Sequence, residues 1–219
     1  MSGESMEVGL RGSVVRDPEH RENQRRGILK AAARVFARKG YESSTMMDIA
    51  NEMGVSKGIL YYQFRSKQEL IVATRVAASG AAVARLEEIV SRPVSVAQRM
   101  SDALRSLVES NFDEFARHVI LITTNLGLDE SHAAEVRRTE RRYEKLIRDL
   151  LQEGVIDGSF VDGDIRLTTF TLIRAAQTPA IWFRPDRGLT RDEVIEGLTA
   201  QLMRSVLAPA HQSAPPDKP

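Results

Sequence analysis

The chain has 219 residues, enough for one sizeable core or for a small domain joined to a larger one, and its 31 basic and 30 acidic residues nearly cancel. It has no cysteine, which excludes a disulfide frame, thiol catalysis and a cysteine-ligated metal. No apolar run approaches the ~18 residues that a membrane span requires and the N-terminus lacks a signal-peptide core, so a cytoplasmic protein is expected.

The charge is unevenly spread. Residues 1–75 carry 13 basic against 9 acidic side chains, whereas residues 76–219 carry 18 against 21. An N-terminal excess of cations suits contact with a polyanion. Residues 1–20 are rich in Ser and Gly without a sustained period, and read as a disordered arm. Arg11, Arg16 and Arg21 could touch phosphates from there, although a solvated tail is the plainer reading. The spacing of Ile28, Ala32, Val35 and Phe36 predicts a first helix from about Glu22 to Lys39, stopped at Gly40, with Tyr41 packed at the corner.

The stretch Thr45–Lys67, TMMDIANEMGVSKGILYYQFRSK, predicts two short helices around a turn and the start of a third. Thr45 is an N-cap with Asp48 three residues on, able to return a bond; Ile49, Ala50 and Met53 share one face. Gly54 allows the turn, Val55 plugs it, and Ser56 caps a helix whose apolar members are Ile59, Leu60 and Phe64. Lys57, Gly58, Tyr61, Tyr62 and Gln63 are left outside. A cation, a bare backbone, two phenols and an amide at a helix start suit a DNA groove, since they can meet phosphates and base edges. The plainer alternative is a helical hairpin whose tyrosines half-cover its core. The candidate DNA contacts are Thr45, Ser56, Lys57, Gly58, Ile59, Tyr61, Tyr62, Gln63 and Lys67.

The run VSKGILYYQFRSKQEL resembles the recognition-helix region of TetR-family transcriptional regulators, typically VSKGTLYYHFPSKEEL. With RRGILKAAARVFARKGYESST before it, the resemblance spans residues 25–72. Gln63 stands where the family often has histidine, and Arg65 where it often has proline. The resemblance implies an all-α fold: a three-helix helix-turn-helix domain at residues 21–70, joined by a long helix to a ligand-binding and dimerisation bundle at 71–207. It implies a homodimer on palindromic double-stranded DNA, controlled by a small-molecule effector. Repression is the first expectation, and activation by the same fold stays open.

Ser66 with Glu69 forms a second capping pair, opening a fourth helix that runs through Leu70, Ile71, Val76 and Val83 to about Val90; Lys67 stands at its N-terminus, a ready phosphate site. Val96, Met100, Leu104, Leu107 and Val108 mark the next helix, ending near Phe112. Phe115 and the run Val119–Ile122 mark another, stopped by Gly127. Residues 132–154 form a charged helix with Val136, Tyr143, Leu146, Ile147, Leu150 and Leu151 inward. Its Arg137, Arg138, Arg141 and Arg142 alternate with Glu135, Glu140 and Glu144, which fits local ion pairs or an anionic ligand. Gly154, Gly158 and Gly163 mark a loop; its aspartates lack the ligand spacing of a calcium site.

A helix from Asp164 to Phe183 should break near Ala175 because Pro179 lies inside it. Thr190 and Glu193 cap a last helix holding Val194, Ile195, Leu198, Leu202, Val206 and Leu207, and residues 208–219 read as a disordered tail. The two final helices are expected to make the dimer interface through Leu172, Val194, Leu198 and Leu202, with packing inside a monomer as the alternative. The stretch WFRPDRGLTRDEV (182–194) is similar to a TetR subgroup in which several members respond to acyl-CoA thioesters. An apolar lining of Phe115, Ile122, Phe170, Ile173 and Trp182, with Arg174 and Arg184 for phosphates, would suit such an effector, although the same residues would also make an ordinary core.

An all-α enzyme would require paired Glu-x-x-His elements, and only Asp129-x-x-His132 approaches that pattern. His20, His118 and His211 are scattered, and no P-loop, nucleophile elbow or dinucleotide fingerprint occurs. No catalytic residue, metal or cofactor is expected.

Overall fold

A computed structural model describes residues 18–122 and 128–209. The expected arm up to residue 17, the stop at Gly127 and the tail from residue 210 lie outside the described residues. The helices are α1 (Pro18–Lys39), α2 (Met46–Met53), α3 (Lys57–Gln63), α4 (Lys67–Val90), α5 (Val96–Glu109), α6 (Glu114–Leu121), α7 (Glu130–Ile156), α8 (Ile165–Gln177), α9 (Pro179–Trp182) and α10 (Arg191–Arg204). A 3-10 turn, Ser110–Phe112, follows α5. The architecture is all-α: an N-terminal helix-turn-helix unit joined through α4 to a helical bundle.

Helix starts follow the caps written in the sequence. The side chains of Thr45, Ser56, Ser66, Ser95, Asp113, Asp129, Asp164 and Thr190 each accept a bond from the backbone amide three residues on. Helix α1 already includes Pro18, the first described residue, ahead of the start that periodicity indicates. Pro179 does break the chain: α8 stops at Gln177, and α9 restarts with proline in its first turn.

Two apolar cores share α4. The first gathers Ile28, Val35, Phe36, Ile49, Leu60, Phe64, Leu70 and Ile71, and draws in Ile122 and Val136 from beyond the helix-turn-helix. The second gathers Leu86, Met100, Leu104, Ile147, Leu150, Leu172, Ile195 and Leu202. The units therefore interlock across α4, α6 and α7. Charged side chains of α7 tie it to α4: Arg142 meets Glu87 of α4 at 2.7 Å, and Glu140 accepts from Arg75 of α4 at 2.6 Å. Arg137 pairs with Glu130 within α7.

Asn111 carries no signal in the sequence, yet it is buried and clips three segments together. Its Nδ2 donates to the carbonyls of Val108 at 2.7 Å and Ala176 at 2.8 Å, and its Oδ1 accepts from the Ala180 amide at 3.0 Å.

Gly154 departs from its reading as a loop marker. It lies inside α7, with the buried Phe160 ring where a side chain would be: a Cβ there would stand 2.0 Å from Phe160 Cδ2. Phe160 is itself held by a single antiparallel bridge to Leu207. Gly154→Ala should therefore destabilise the fold by about 1–3 kcal/mol through overpacking. Urea unfolding checks this, and a midpoint at or above wild type would show that the ring can step aside.

Candidate nucleic-acid interface

The α1–α2 turn fixes where the helix-turn-helix begins. Thr45 Oγ1 accepts from the Asp48 amide at 3.1 Å, and Asp48 Oδ2 accepts from the Thr45 amide at 2.9 Å, a reciprocal cap. Lys39 Nζ lies 2.6 Å from the other Asp48 oxygen. Its hydrogen bond, with those from Thr45, holds the Asp48 carboxyl down at about 2. Glu52 of α2 is gripped by Arg34 and Arg38 of α1, each at 2.9 Å, which keeps its carboxyl below the ordinary range.

The turn to α3 passes through Gly54 at φ 72°, ψ 30°, where a Cβ would be strained. Ser56 Oγ then caps α3 by accepting from the Ile59 amide at 3.3 Å. Helix α3 buries Leu60, followed by Phe64, on whose ring the Arg25 guanidinium sits 4.4 Å from the centroid. The opposite face is open. Lys57 and Gly58 are exposed, Tyr62 is 71% exposed, and Tyr61 and Ile59 lie beside them at the surface. Lys57 Nζ rests 5.5 Å from the Tyr61 ring centroid, which keeps its cation on this face. Six of the expected contacts, Ser56, Lys57, Gly58, Ile59, Tyr61 and Tyr62, thus form one exposed surface, and Thr45 is exposed at the start of α2.

Two expected contacts are placed differently. Gln63 is half-buried, its Nε2 donating to Gln24 Oε1 of α1 at 3.4 Å, because the short helix ends with that position turned towards its brace. Lys67 is also half-buried, its ammonium donating to the carbonyls of Tyr41, Glu42 and Ser44 at 2.7, 3.2 and 3.0 Å. Ile59, read as part of the packed face, is instead exposed, while Leu60 and Phe64 alone of that face are fully buried in the first core. Sequence reasoning misses the bracing roles of Gln24 and Arg25, which precede the motif and carry no periodic signal.

The candidate effector residues do not converge on one cavity. Phe115 and Ile122 pack on the first core, whereas Ile173 packs in the second. Phe170, Arg174, Trp182 and Arg184 lie at the surface, with Arg184 donating to the carbonyl of Phe183 at 2.9 Å. A small cleft between α1 and α6 is lined by Lys30, Arg34, Asp113, Glu114, Phe115 and His118.

The expected dimer residues are also redirected. Leu172, Val194 and Leu202 are buried within the protomer, and Leu198 packs half-buried against the same core. Periodicity identifies the apolar face of each helix, and that face is occupied by the chain's own α5 and α7. What α8 leaves outside is Leu167, 64% exposed, and Phe170, 40% exposed.

Asp129 and His132, the nearest approach to a metal motif, form the cap of α7: Asp129 accepts from the His132 amide at 3.0 Å and meets its Nδ1 at 2.7 Å. No group of three His, Asp or Glu side chains among the described residues could hold a metal, and none of their helices is long and apolar enough to cross a membrane.

Comparison with known proteins gives this geometry a family. Residues 28–74 match the family of bacterial regulatory proteins, tetR family, and residues 93–206 match the tetracyclin repressor-like C-terminal domain. The HTH-type transcriptional repressor KstR2 of Mycolicibacterium smegmatis is 28% identical over 188 residues, 81% of this chain and 87% of that protein. A solved TetR/AcrR-family regulator from Thermobifida fusca is 30% identical with a TM-score of 0.64, covering 83% of this chain and 97% of its own. The fold is shared with FadR of Bacillus subtilis, solved in complex with stearoyl-CoA, at 20% identity, a TM-score of 0.67 and 82% and 98% coverage. The chain belongs to the TetR family of transcriptional regulators, and α2 and α3 are its helix-turn-helix.

Proposed function

We propose that the chain is a cytoplasmic, homodimeric repressor that reads a palindromic operator with α3 and releases it on binding an amphipathic anion of the acyl-CoA class. The observation that carries the DNA-reading part is the outward face of α3. Lys57, Tyr61 and Tyr62 stand clear of the core beside the exposed Gly58, on a helix whose other face is fixed by Leu60 and Phe64. A helix so placed can enter the major groove, with hydroxyls and ammonium reaching phosphates and base edges. Thr45 and Ser56, at the starts of α2 and α3, add positions where the backbone approaches phosphate.

Dimerisation follows from reach, because one seven-residue helix reads too few bases for useful specificity. The surface that supports it is the outer side of α8 and α10. Leu167 and Phe170 are exposed there, and Gly197 of α10 has nothing within 4 Å of where a Cβ would be.

The effector part draws on the relatives named for repression and on the stearoyl-CoA complex of FadR. In this reading the acyl body enters the second core beside Ile173, and Arg174 and Arg184 hold the phosphates outside. Because α4 belongs to both cores, a ligand that favours one packing of the bundle shifts the helix that carries α3.

Lys57→Ala and Tyr62→Ala should each weaken operator binding by about 1–3 kcal/mol while leaving helicity and melting unchanged. Two variants that bind like wild type in a salt-controlled gel shift would remove α3's outer face from the contact.

Leu167→Arg combined with Phe170→Arg should give a folded monomer in sedimentation at a concentration where wild type is a dimer, since an apolar seam does not tolerate two bare charges. A monomeric wild type at micromolar concentration would refute the dimer.

For the effector, acyl-CoAs, the matching free acids and CoA alone are titrated against the protein–operator complex. Release by a thioester but by neither half is the expected result; release by free acids alone would eliminate the CoA handle.

A further inference from the structure

Ile59 is the third residue of α3 and stands on the side of that helix away from its anchors. At about 100° per residue, Gly58, Ile59 and Tyr62 share the direction opposite Leu60 and Phe64. Burial agrees: Leu60 and Phe64 are fully buried, whereas Ile59 is 37% and Tyr62 71% exposed. The Ile59 amide donates to Ser56 Oγ at 3.3 Å, so the cap fixes the backbone beneath this side chain.

The neighbours of Ile59 on this face are polar or bare. Lys57, Tyr61 and Tyr62 end in an ammonium and two hydroxyls, carried on side chains long enough to reach phosphate oxygens. Gly58 presents no side chain, and the nearest atom to where its Cβ would be is Ser56 Oγ at 3.8 Å. A helix bare at that point can come close to a groove floor, and the residue beside the gap arrives with it. Isoleucine is short and stiff at χ1, and it has no polar atom to offer a phosphate. Threonine occupies this place in the typical TetR run, where its hydroxyl could bond a base edge; isoleucine offers carbon alone.

Among the base edges of the major groove, the apolar element is the C5-methyl of thymine. Against the other bases the same side chain would cover a donor or an acceptor without bonding it, which costs free energy. We infer that Ile59 is a specificity-determining residue that packs on a thymine methyl, so that each half-site of the operator holds a thymine at that position. The inference rests on the proposed reading of DNA through α3, and deepens it from a groove to a base.

The experiment uses the full-length protein and DNA fragments that it selects from random sequence. Each thymine is replaced in turn by uracil in both half-sites, which removes one methyl and leaves the hydrogen bonds of the base pair in place. Affinities are compared at one salt concentration. At one position wild type should lose about fourfold per half-site, the worth of one buried methyl-sized group. Ile59→Ala should bind the thymine and uracil fragments alike, and Ile59→Val should keep most of the difference. Lys57→Ala should weaken both fragments equally and keep the difference whole. Alanine is the stronger helix former and the site is exposed, so circular dichroism should show that variant folded. If it is not, Ile59→Gln takes its place with the same expectation. Selected half-sites that share no thymine, wild-type indifference to every uracil, or a thymine preference that survives in Ile59→Ala would each overturn the inference and leave the DNA reading standing. A wild type that selects no fragment removes the DNA reading, and the thymine contact with it.

Discussion

Helix α4 cannot be buried by one core alone, and the molecule is arranged around that constraint. Its first turns carry Leu70, Ile71 and Val72 into the helix-turn-helix, and its later turns carry Val83, Leu86 and Ile89 into the bundle. Apolar burial is strong but without direction, so by itself it would let two such cores slide along a shared helix. Direction comes from polar groups at defined heights: Lys67 at the first residue of α4, Arg75 with Glu140 in the middle and Glu87 with Arg142 near the end. The exposed pairs among them add little net stability, but they fix the register of α4 against α7.

The same division of labour holds in the helix-turn-helix. Leu60 and Phe64 anchor α3, yet seven residues offer too little apolar surface to fix its rotation. Asp48, Ser56 and Gln24 supply what is missing, each through a bond of specific geometry. The bonds from Lys39 and Thr45 keep Asp48 ionised, and the α2 cap made, well into the acid range. The group's folded value lies below its unfolded one, so its contribution is present above about pH 4 and disappears as the pH falls towards 2.

Much of this is readable from the sequence, for reasons that can be stated. Caps announce themselves because Ser, Thr and Asp three residues ahead of a matching amide have few other uses, and Gly54 stands where only a left-handed residue closes the turn. Helix faces follow from the spacing of Ile28, Ala32 and Val35 in α1, and of Leu146, Ile147 and Leu150 in α7. What periodicity lacks is the identity of the partner. Leu172 and Leu202 carry the apolar pattern of an interface and of a core equally, and the chain's own helices take them. Long side chains are the second blind spot. Lys67 and Gln63 are polar and near an exposed helix, yet both reach back to groups more than 20 residues away. Gly154 misleads for a third reason: a missing side chain can serve a turn or an incoming ring, and only the position of Phe160 tells which.

The amide of Asn111 has a consequence for how the chain leaves α8. Its two ends are chemically distinct: the nitrogen faces the carbonyls of Leu107, Val108 and Ala176, and the oxygen faces one amide proton. Rotating the group by half a turn would set donor against donor and acceptor against acceptor, so the joint accepts only one orientation, as a key does in its lock. Aspartate would lose the donations, and leucine would take this side chain's bonds away from the Ala176 carbonyl and the Ala180 amide. The direction in which residues 178–183 emerge is thereby decided by a side chain 69 positions before Ala180 in the chain. Whatever meets the exposed Ile181 and Trp182 meets them on a segment whose turning would cost the Asn111 bonds beneath it.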